Sequence, residues 1–335
     1  MSNLGTVARL AGVSASTVSR TLARPEKVAE ETRSRVMQAV AQVGYQPNEL
    51  ARGLRQQGGR SIGLIVSDLL NPFDATLAKG VQDAATHHDL TVFLFNSDES
   101  AEQERRALET LRGHLPQGLI IVPTAYTREH ARLLSALPVV ELDRSSGLEG
   151  MHSVQVDNLI GAQGATRHLT ELGHRRIGLI VGQLDVSTSV ERLEGYQAAL
   201  RAAGLPPNAE LTRVGHYHEE DGLRAATELL SLPPQERPTA LFVGNNEMTV
   251  GAVLAARALG LRVPGDLSII GFDDSRLLQV LQPAISVVAQ PTYDLGFVAG
   301  ETLISLLRRG TPSPPTSVRL ATKLIIREST APPNC

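Results

Sequence analysis

From Ser61 onward the sequence alternates short β-branched apolar runs with amphipathic stretches, and that alternation leaves few folds open. SIGLIVS (61–67), LTVFLFN (90–96), GLIIVP (118–123) and VVELD (139–143) form a first set. RRIGLIVG (175–182), ALFVG (240–244) and LSIIGFD (267–273) form a second. Runs this apolar are buried on both faces, as parallel strands covered by helices require. Helical stretches at 75–88, 100–113, 158–172, 190–203, 221–231 and 248–259 supply the cover. The pattern predicts an α/β fold of doubly wound parallel sheets, in two lobes with a cleft at the carboxyl ends of the strands.

The first sixty residues read as helix only. Leu4, Val7, Ala8 and Ala11 share one helical face, with Asn3 as N-cap. Gly12 supplies a turn, Ser14 caps a second helix with Val18 and Leu22 inside, and Thr32–Val43 gives a third, closed by Gly44. The second helix, within GVSASTVSRTL, is too rich in Ser and Thr for a core element, so its polar face suits a partner other than protein. Helix, turn and short helix make a helix-turn-helix plan. Ala15 and Ser16 then lie nearest base edges, Thr17 and Ser19 reach phosphates, and Arg20 can pair with guanine. Chance look-alikes of this plan occur in any helical protein, so charge matters. Residues 1–60 carry nine basic and four acidic side chains, +5, leaving 23 against 31, or −8, for the rest. A basic head on an acidic body suits a polyanion.

NELARGL followed by QQGGR reads as a weak hinge helix and linker, whose Leu54 could wedge into a minor groove; an ordinary linker is the alternative. The expected division is a DNA-binding head at 1–46, a hinge at 47–60, a body at 61–328 and a tail at 329–335. Within the body, one lobe takes about 61–156 and 290–317, the other about 157–289 and 318–328.

No apolar run is long enough to span a membrane, and MSNLGTVARLAG lacks the features of a secretory signal. Cys335 is the only cysteine. A cytoplasmic location is expected. No nucleophile elbow, Walker loop, zinc-protease motif or dinucleotide fingerprint occurs, so neither an enzyme nor a cofactor is expected. His216–Tyr217–His218 lacks a third metal ligand and reads as a solvent-facing loop, so no metal is expected. A free solute-binding protein would share the body fold but not the basic head.

Several ordered motifs resemble the lactose-repressor (LacI/GalR) family of bacterial transcription regulators. They are VARLAGVSASTVSRTL, RPEKVAEETRSRVMQAVAQVGYQPNELARGL, RSIGLIV, DLLNPF (68–73), LDR (142–144), ELGHRRIGLIVG (171–182), RLEGY (192–196), PTALFVGNNEMTVGA (238–252), LRVPGDLSIIGFDD (261–274) and VVAQP (287–291). The resemblance implies a homodimer on a pseudo-palindromic double-stranded operator, a periplasmic-binding-protein-like body holding a small effector, and a hinge that folds on DNA. By position, Ala15, Ser16 and Arg20 would read bases, Thr17 and Ser19 would hold phosphates, Leu54 would be the wedge, and Asn48 would join the DNA contacts. Thr6 stands where the family often has Asp, with a stability effect at most.

Residues just after strand ends are the expected effector ligands: Asn71, Phe73, Asp143, Arg144, Arg192 opening a helix, Asn245, Asp273 and Gln290. Their donors and acceptors suit a polyhydroxylated ring, and Phe73 and Tyr217 offer apolar faces. By resemblance these positions line the pocket, with Thr188. Singly, Asp143–Arg144 reads equally as an ion pair, and Asp273 as a turn cap. Asp74 replaces a family aromatic and, with Asp143 and Asp273, opposes a phosphorylated effector. Arg144 and Arg192 are expected to keep Asp143 and Asp273 ionised. A neutral pentose or hexose leads, with a sugar phosphate or nucleoside behind it. The expected function is a sugar-controlled repressor of carbohydrate-uptake or catabolic genes.

Overall fold

A computed structural model describes residues 3–45, 60–135, 137–309 and 314–334. The chain divides into two compact units, Met1–Gly59 and Arg60–Cys335. Asn48, Leu54 and residues 47–59 of the expected hinge lie outside the described residues.

In the first unit, helices α1 (Leu4–Ala11), α2 (Ala15–Ala23) and α3 (Glu30–Val43) bury Val7, Ala8, Ala11, Val18, Val36 and Ala39 against one another. Asn3 caps α1 by accepting from Thr6 N at 2.9 Å, and Thr6 Oγ1 donates to the same oxygen at 3.1 Å. Gly12 ends α1 at φ +65°, a left-handed conformation that glycine adopts without steric penalty. Val13 N then closes onto Ala8 O at 3.0 Å, which turns the chain within three residues.

The second unit holds two six-stranded sheets. The first contains β1 (Ser61–Val66), β2 (Thr91–Asn96), β3 (Leu119–Ile121), β4 (Val139–Leu142), β5 (His152–Val156) and β11 (Ser317–Leu320). Its order is β2–β1–β3–β4–β5–β11, all parallel. The second contains β6 (Ile177–Val181), β7 (Thr212–Val214), β8 (Ala240–Val243), β9 (Ser268–Phe272), β10 (Ser286–Ala289) and β12 (Lys323–Ile325). Its order is β7–β6–β8–β9–β10–β12, parallel except for β12. Helices α4 (Pro72–His87), α5 (Ala101–Gly113) and the one-turn α6 (Ala131–Leu134) follow strands of the first sheet. Helices α7 (Asn158–Glu171), α8 (Ser187–Ala202), α9 (Glu219–Leu230), α10 (Asn246–Ala258) and the short α11 (Arg276–Val280) belong with the second.

Every residue of β1, β6, β8 and β9 is buried, and each full-sized aliphatic side chain so enclosed contributes roughly 1.5–3 kcal/mol. After β10 the chain returns to the first lobe as α12 (Thr292–Arg309), a helix absent from the sequence expectation. Backbones of α4 and α12 touch: a Cβ on Gly80 would lie 2.2 Å from Tyr293 O, and one on Gly296 2.1 Å from Leu77 O.

Two expected boundaries move. The first lobe's last strand runs to Leu320 rather than ending at about 317, because all four residues of β11 pair with β5. The expected tail from 329 is built into the second lobe. Ser329 is fully buried, its Oγ accepting from Ser286 N at 2.8 Å and its carbonyl from Ile269 N at 2.9 Å. Ala331 follows, exchanging bonds with Ser268 Oγ at 3.0 Å.

Candidate functional site

On the head, α2 presents a short polar face. Ser14 caps it, Oγ accepting from Thr17 N at 3.1 Å and contacting Ser16 Oγ and Thr17 Oγ1 at 2.8 and 2.9 Å. Ala15, Ser16 and Arg20 are exposed, and Thr17 and Ser19 are half-buried. Val18 and Thr21 point inward, Thr21 bonding back to Thr17 O at 2.9 Å. The helix is therefore amphipathic in the required sense: an apolar stripe holds it and small polar groups face out.

In the body, a cleft is lined by Ser67, Asp68, Asn71, Phe73, Glu99, Asp143, Arg144, Thr188, Arg192, His216, Tyr217, His218, Asn245, Asp273 and Gln290, around a cavity of about 30 Å3. Ten of the eleven effector positions expected from sequence meet here. The exception is Asp74. It sits one layer behind, in the first turn of α4, where its Oδ2 accepts from Ser67 Oγ and Asp68 N, both at 2.8 Å. Its Oδ1 is buried without a partner. Burial pushes its pKa up to about 7, against the two hydrogen bonds and Arg144. So Asp74 shapes the loop that carries Asp68 and Asn71, and brings less negative charge than a carboxylate beside a ligand would.

Asp143 and Asp273 occupy equivalent places in the two lobes. Each follows a central strand, and each has φ in the left-handed region, +65° and +70°. Each donates its N–H across to the next strand, to Val154 O and Val288 O, both at 2.9 Å. Aspartate tolerates this conformation better than most residues, and its use at both strand ends turns a carboxylate into the cleft twice. Tyr217 adopts φ +70°, an outlier for a bulky side chain and one that aims its ring beneath Arg144, 4.8 Å from the guanidinium.

Arg144 and Arg192, expected to keep both aspartates ionised, do pull towards the charged form, but they do not restore ordinary acidity. Burial dominates: it lifts Asp143 to about 6 and raises Asp273, although both arginines pull the other way. Arg144 is chiefly paired elsewhere, with Glu99, its Nη1 2.7 Å from Oε1 and 2.9 Å from Oε2; Asp143 is 3.7 Å from Nε. Burial opposes the charge of Arg144, but Glu99 and Asp143 hold its pKa above the usual value. Arg192 does not open a helix; it is the sixth residue of α8. Its Nε donates to Asn158 Oδ1 at 2.9 Å, Nη1 to Gly244 O, and its guanidinium lies 3.8 Å from the ring of Phe272.

Asn245 caps α10, accepting from Met248 N at 2.9 Å and donating to Tyr217 O at 2.8 Å. Gln290 Nε2 donates to Asp273 Oδ1 from the segment where the chain crosses between lobes. Thr188 Oγ1 lies 3.4 Å from the Tyr217 hydroxyl, which Ser189 Oγ also contacts. Asn71 caps α4 through Phe73 N at 3.0 Å and forms a reciprocal carboxamide pair with Asn246 of the other lobe, at 2.9 and 3.3 Å. His216 and His218 are exposed, but they line the cleft rather than a remote loop. Ser67, Asp68, Glu99, His216 and His218 were missed by the sequence reading. Asp68 and Glu99 lie just beyond β1 and β2, so the strand-end rule applied to every strand finds both. Among the described residues, no group of His, Cys, Asp and Glu could hold a metal ion. Among the same residues, no helix is long and apolar enough to cross a membrane.

Cleft atoms still lacking partners are informative. Asp143 Oδ1, Gln290 Oε1 and Arg144 Nε are buried and make no hydrogen bond. Such groups cost about 1–3 kcal/mol each unless something satisfies them, which marks the cleft as a place for a polar ligand.

A three-helix head with a polar outer helix and a two-lobed body with a ligand-type cleft define a class: regulators that join a helix-turn-helix to a periplasmic-binding-protein-like body. Residues 3–48 match the model of bacterial regulatory proteins of the lacI family, and residues 166–330 that of a periplasmic binding protein-like domain. Catabolite control protein A of Priestia megaterium is 35% identical over 97% of this chain and 98% of its own. Among solved structures, the lac repressor dimer bound to operator and the anti-inducer ONPF aligns with a TM-score of 0.86 at 26% identity, covering 98% of this chain and 99% of that one. The transcriptional regulator CelR–cellobiose complex aligns at 0.74 and 31% identity, covering 98% and 100%. The chain belongs to the lacI family of bacterial regulatory proteins.

Proposed function

We propose that the chain is a cytoplasmic, homodimeric, non-catalytic repressor of carbohydrate-uptake or catabolic genes, whose hold on its operator is set by a sugar-like effector in the cleft. Relatives that are a catabolite control protein and a ribose operon repressor, and a neighbour holding cellobiose, support the class of regulator and of effector. One observation carries the reading for this chain: strand ends of both lobes converge on a small cavity with acceptors and a donor left unpartnered. On the head, Ala15, Ser16 and Arg20 read bases and Thr17 and Ser19 hold phosphates, with Asn48 and Leu54 acting from the hinge. In the cleft, Asp143, Asp273, Asn245, Gln290, Arg144 and Arg192 bind hydroxyls, while Phe73 and Tyr217 cover the ring. Effector binding changes how the lobes meet and thereby the fit of the paired heads to DNA.

The test starts from duplexes that the full-length protein selects from a random-sequence pool. Pentoses, hexoses and disaccharides are then screened for a raised thermal midpoint, because a ligand that prefers the folded state stabilises it by mass action. A sugar that shifts the midpoint should change affinity for the selected duplex, and Asp273→Ala should abolish that change while duplex binding persists. A normal response from Asp273→Ala moves the effector site out of this cleft.

A further inference from the structure

Glu99 plays no part in the sequence reading, yet it is the main partner of the cleft's central cation. Its side chain is 11% exposed and that of Arg144 7%, so the pair is formed away from bulk water. The chain is strained to make it: Asp98 and Glu99 are consecutive non-glycine residues in the left-handed region, at φ +46° and +53°. The remaining reach of Arg144 goes to Pro123 O at 3.4 Å and to the face of Tyr217. Arg192 is held sideways by Asn158, Gly244 and Phe272. Four carboxylates, Asp68, Glu99, Asp143 and Asp273, thus line the cleft against these two guanidinium groups. Glu247, bonded to Asn246 Nδ2 at 3.2 Å and close to Glu219 and Asp68, extends the acidic character beyond them.

We propose that Glu99 is a specificity-determining residue, which neutralises Arg144 and so makes the cleft take an uncharged polyol and refuse its phosphate ester. This rests on the reading of the cleft as the effector site. A phosphate dianion needs a guanidinium that is free to accept it. With Glu99 in place, the ester instead meets a lining whose charge already has its own sign, and juxtaposed like charge is what rejects a wrong partner. The atoms that stay unpartnered fit hydroxyl groups: Asp143 Oδ1 and Gln290 Oε1 accept from them, and Arg144 Nε donates to one.

The experiment measures dissociation constants by calorimetry on the full-length protein for three matched pairs: ribose and ribose 5-phosphate, glucose and glucose 6-phosphate, fructose and fructose 6-phosphate. At least one free sugar is expected to bind roughly tenfold or more tightly than its ester. Glu99→Gln is expected to move that ratio towards the ester by roughly tenfold or more, because it releases Arg144. A purely structural role for Glu99 weakens both members alike and leaves the ratio unchanged, which overturns the proposal. An ester that binds wild type as well as its sugar also overturns it, while leaving the cleft as the effector site. If neither these pairs nor the pentoses, hexoses and disaccharides of the thermal screen bind, a sugar-effector cleft is wrong and the proposal falls with it. Should Glu99→Gln not fold, Glu99→Asn removes the same charge with a residue better suited to the positive φ.

Discussion

At the residue scale, Asp74 shows how burial converts a side chain that looks like a ligand into a proton store. Its folded pKa of about 7 lies far above the roughly 3.9 of an unfolded aspartate. Between those values the folded state keeps a proton that the unfolded chain has released, so stability falls as pH rises through this window and levels off above it. Full ionisation costs up to ~4 kcal/mol. Asp143 contributes in the same direction over a narrower range, ending near 6. In Asp74→Asn the carbonyl oxygen can still accept from Ser67 and Asp68, and nothing remains to ionise. Urea unfolding at pH 5 and pH 8 should therefore show a smaller loss of stability for the variant than for wild type. Equal losses would place the proton elsewhere.

At the element scale, α2 separates holding from reading. Ser14→Ala removes the cap, which should cost ~1 kcal/mol of head stability. It should weaken binding to all duplexes alike, whereas Arg20→Ala should blur the preference among them, as competition with single-base variants would show. Unchanged preference in Arg20→Ala would remove it from base reading. The same scale shows what the sequence makes legible. The strands β1, β3, β4, β6, β8 and β9 announce themselves because every position is buried, and the apolar runs predict them to within about two residues. By contrast β5, with the sequence HSVQV, buries Ser153 and Gln155 through pairing partners distant in sequence, which no local pattern reports. Helix α12 was missed although Leu295, Ala299, Leu303 and Ile304 mark its buried face at helical spacing; Gly296 and Gly300 beside them dilute that pattern. The cleft residues were legible mostly from the resemblance and the strand-end rule. The distinction between Asp74, behind the wall, and Glu99, in it, depends on where two loops turn, and that is a tertiary fact.

At the scale of the whole body, the two lobes repeat one design. Asp143 and Asp273 sit on matching strand ends, and the chain crosses between lobes three times, after β5, β10 and β11. Three crossings restrict relative motion to a hinge about the segment that carries Asp157, Gln290 and Arg319. Arg319 braces that segment, bonded to Glu191 Oε1 at 2.7 Å. Between the lobes, Asn71 and Asn246 bond to each other beside a cavity of about 30 Å3, where ligand sites commonly run to roughly 300 Å3 or more. A sugar ring must therefore wait for that carboxamide pair to part. In stopped-flow mixing the observed rate should climb with sugar concentration and then reach a ceiling equal to the opening frequency. Asn246→Ala should lift the ceiling, and a rate that rose without limit would mean a door already ajar. Once sugar is plentiful, the repressor's reaction time would then be a property of two asparagines, and not of how much more sugar arrives.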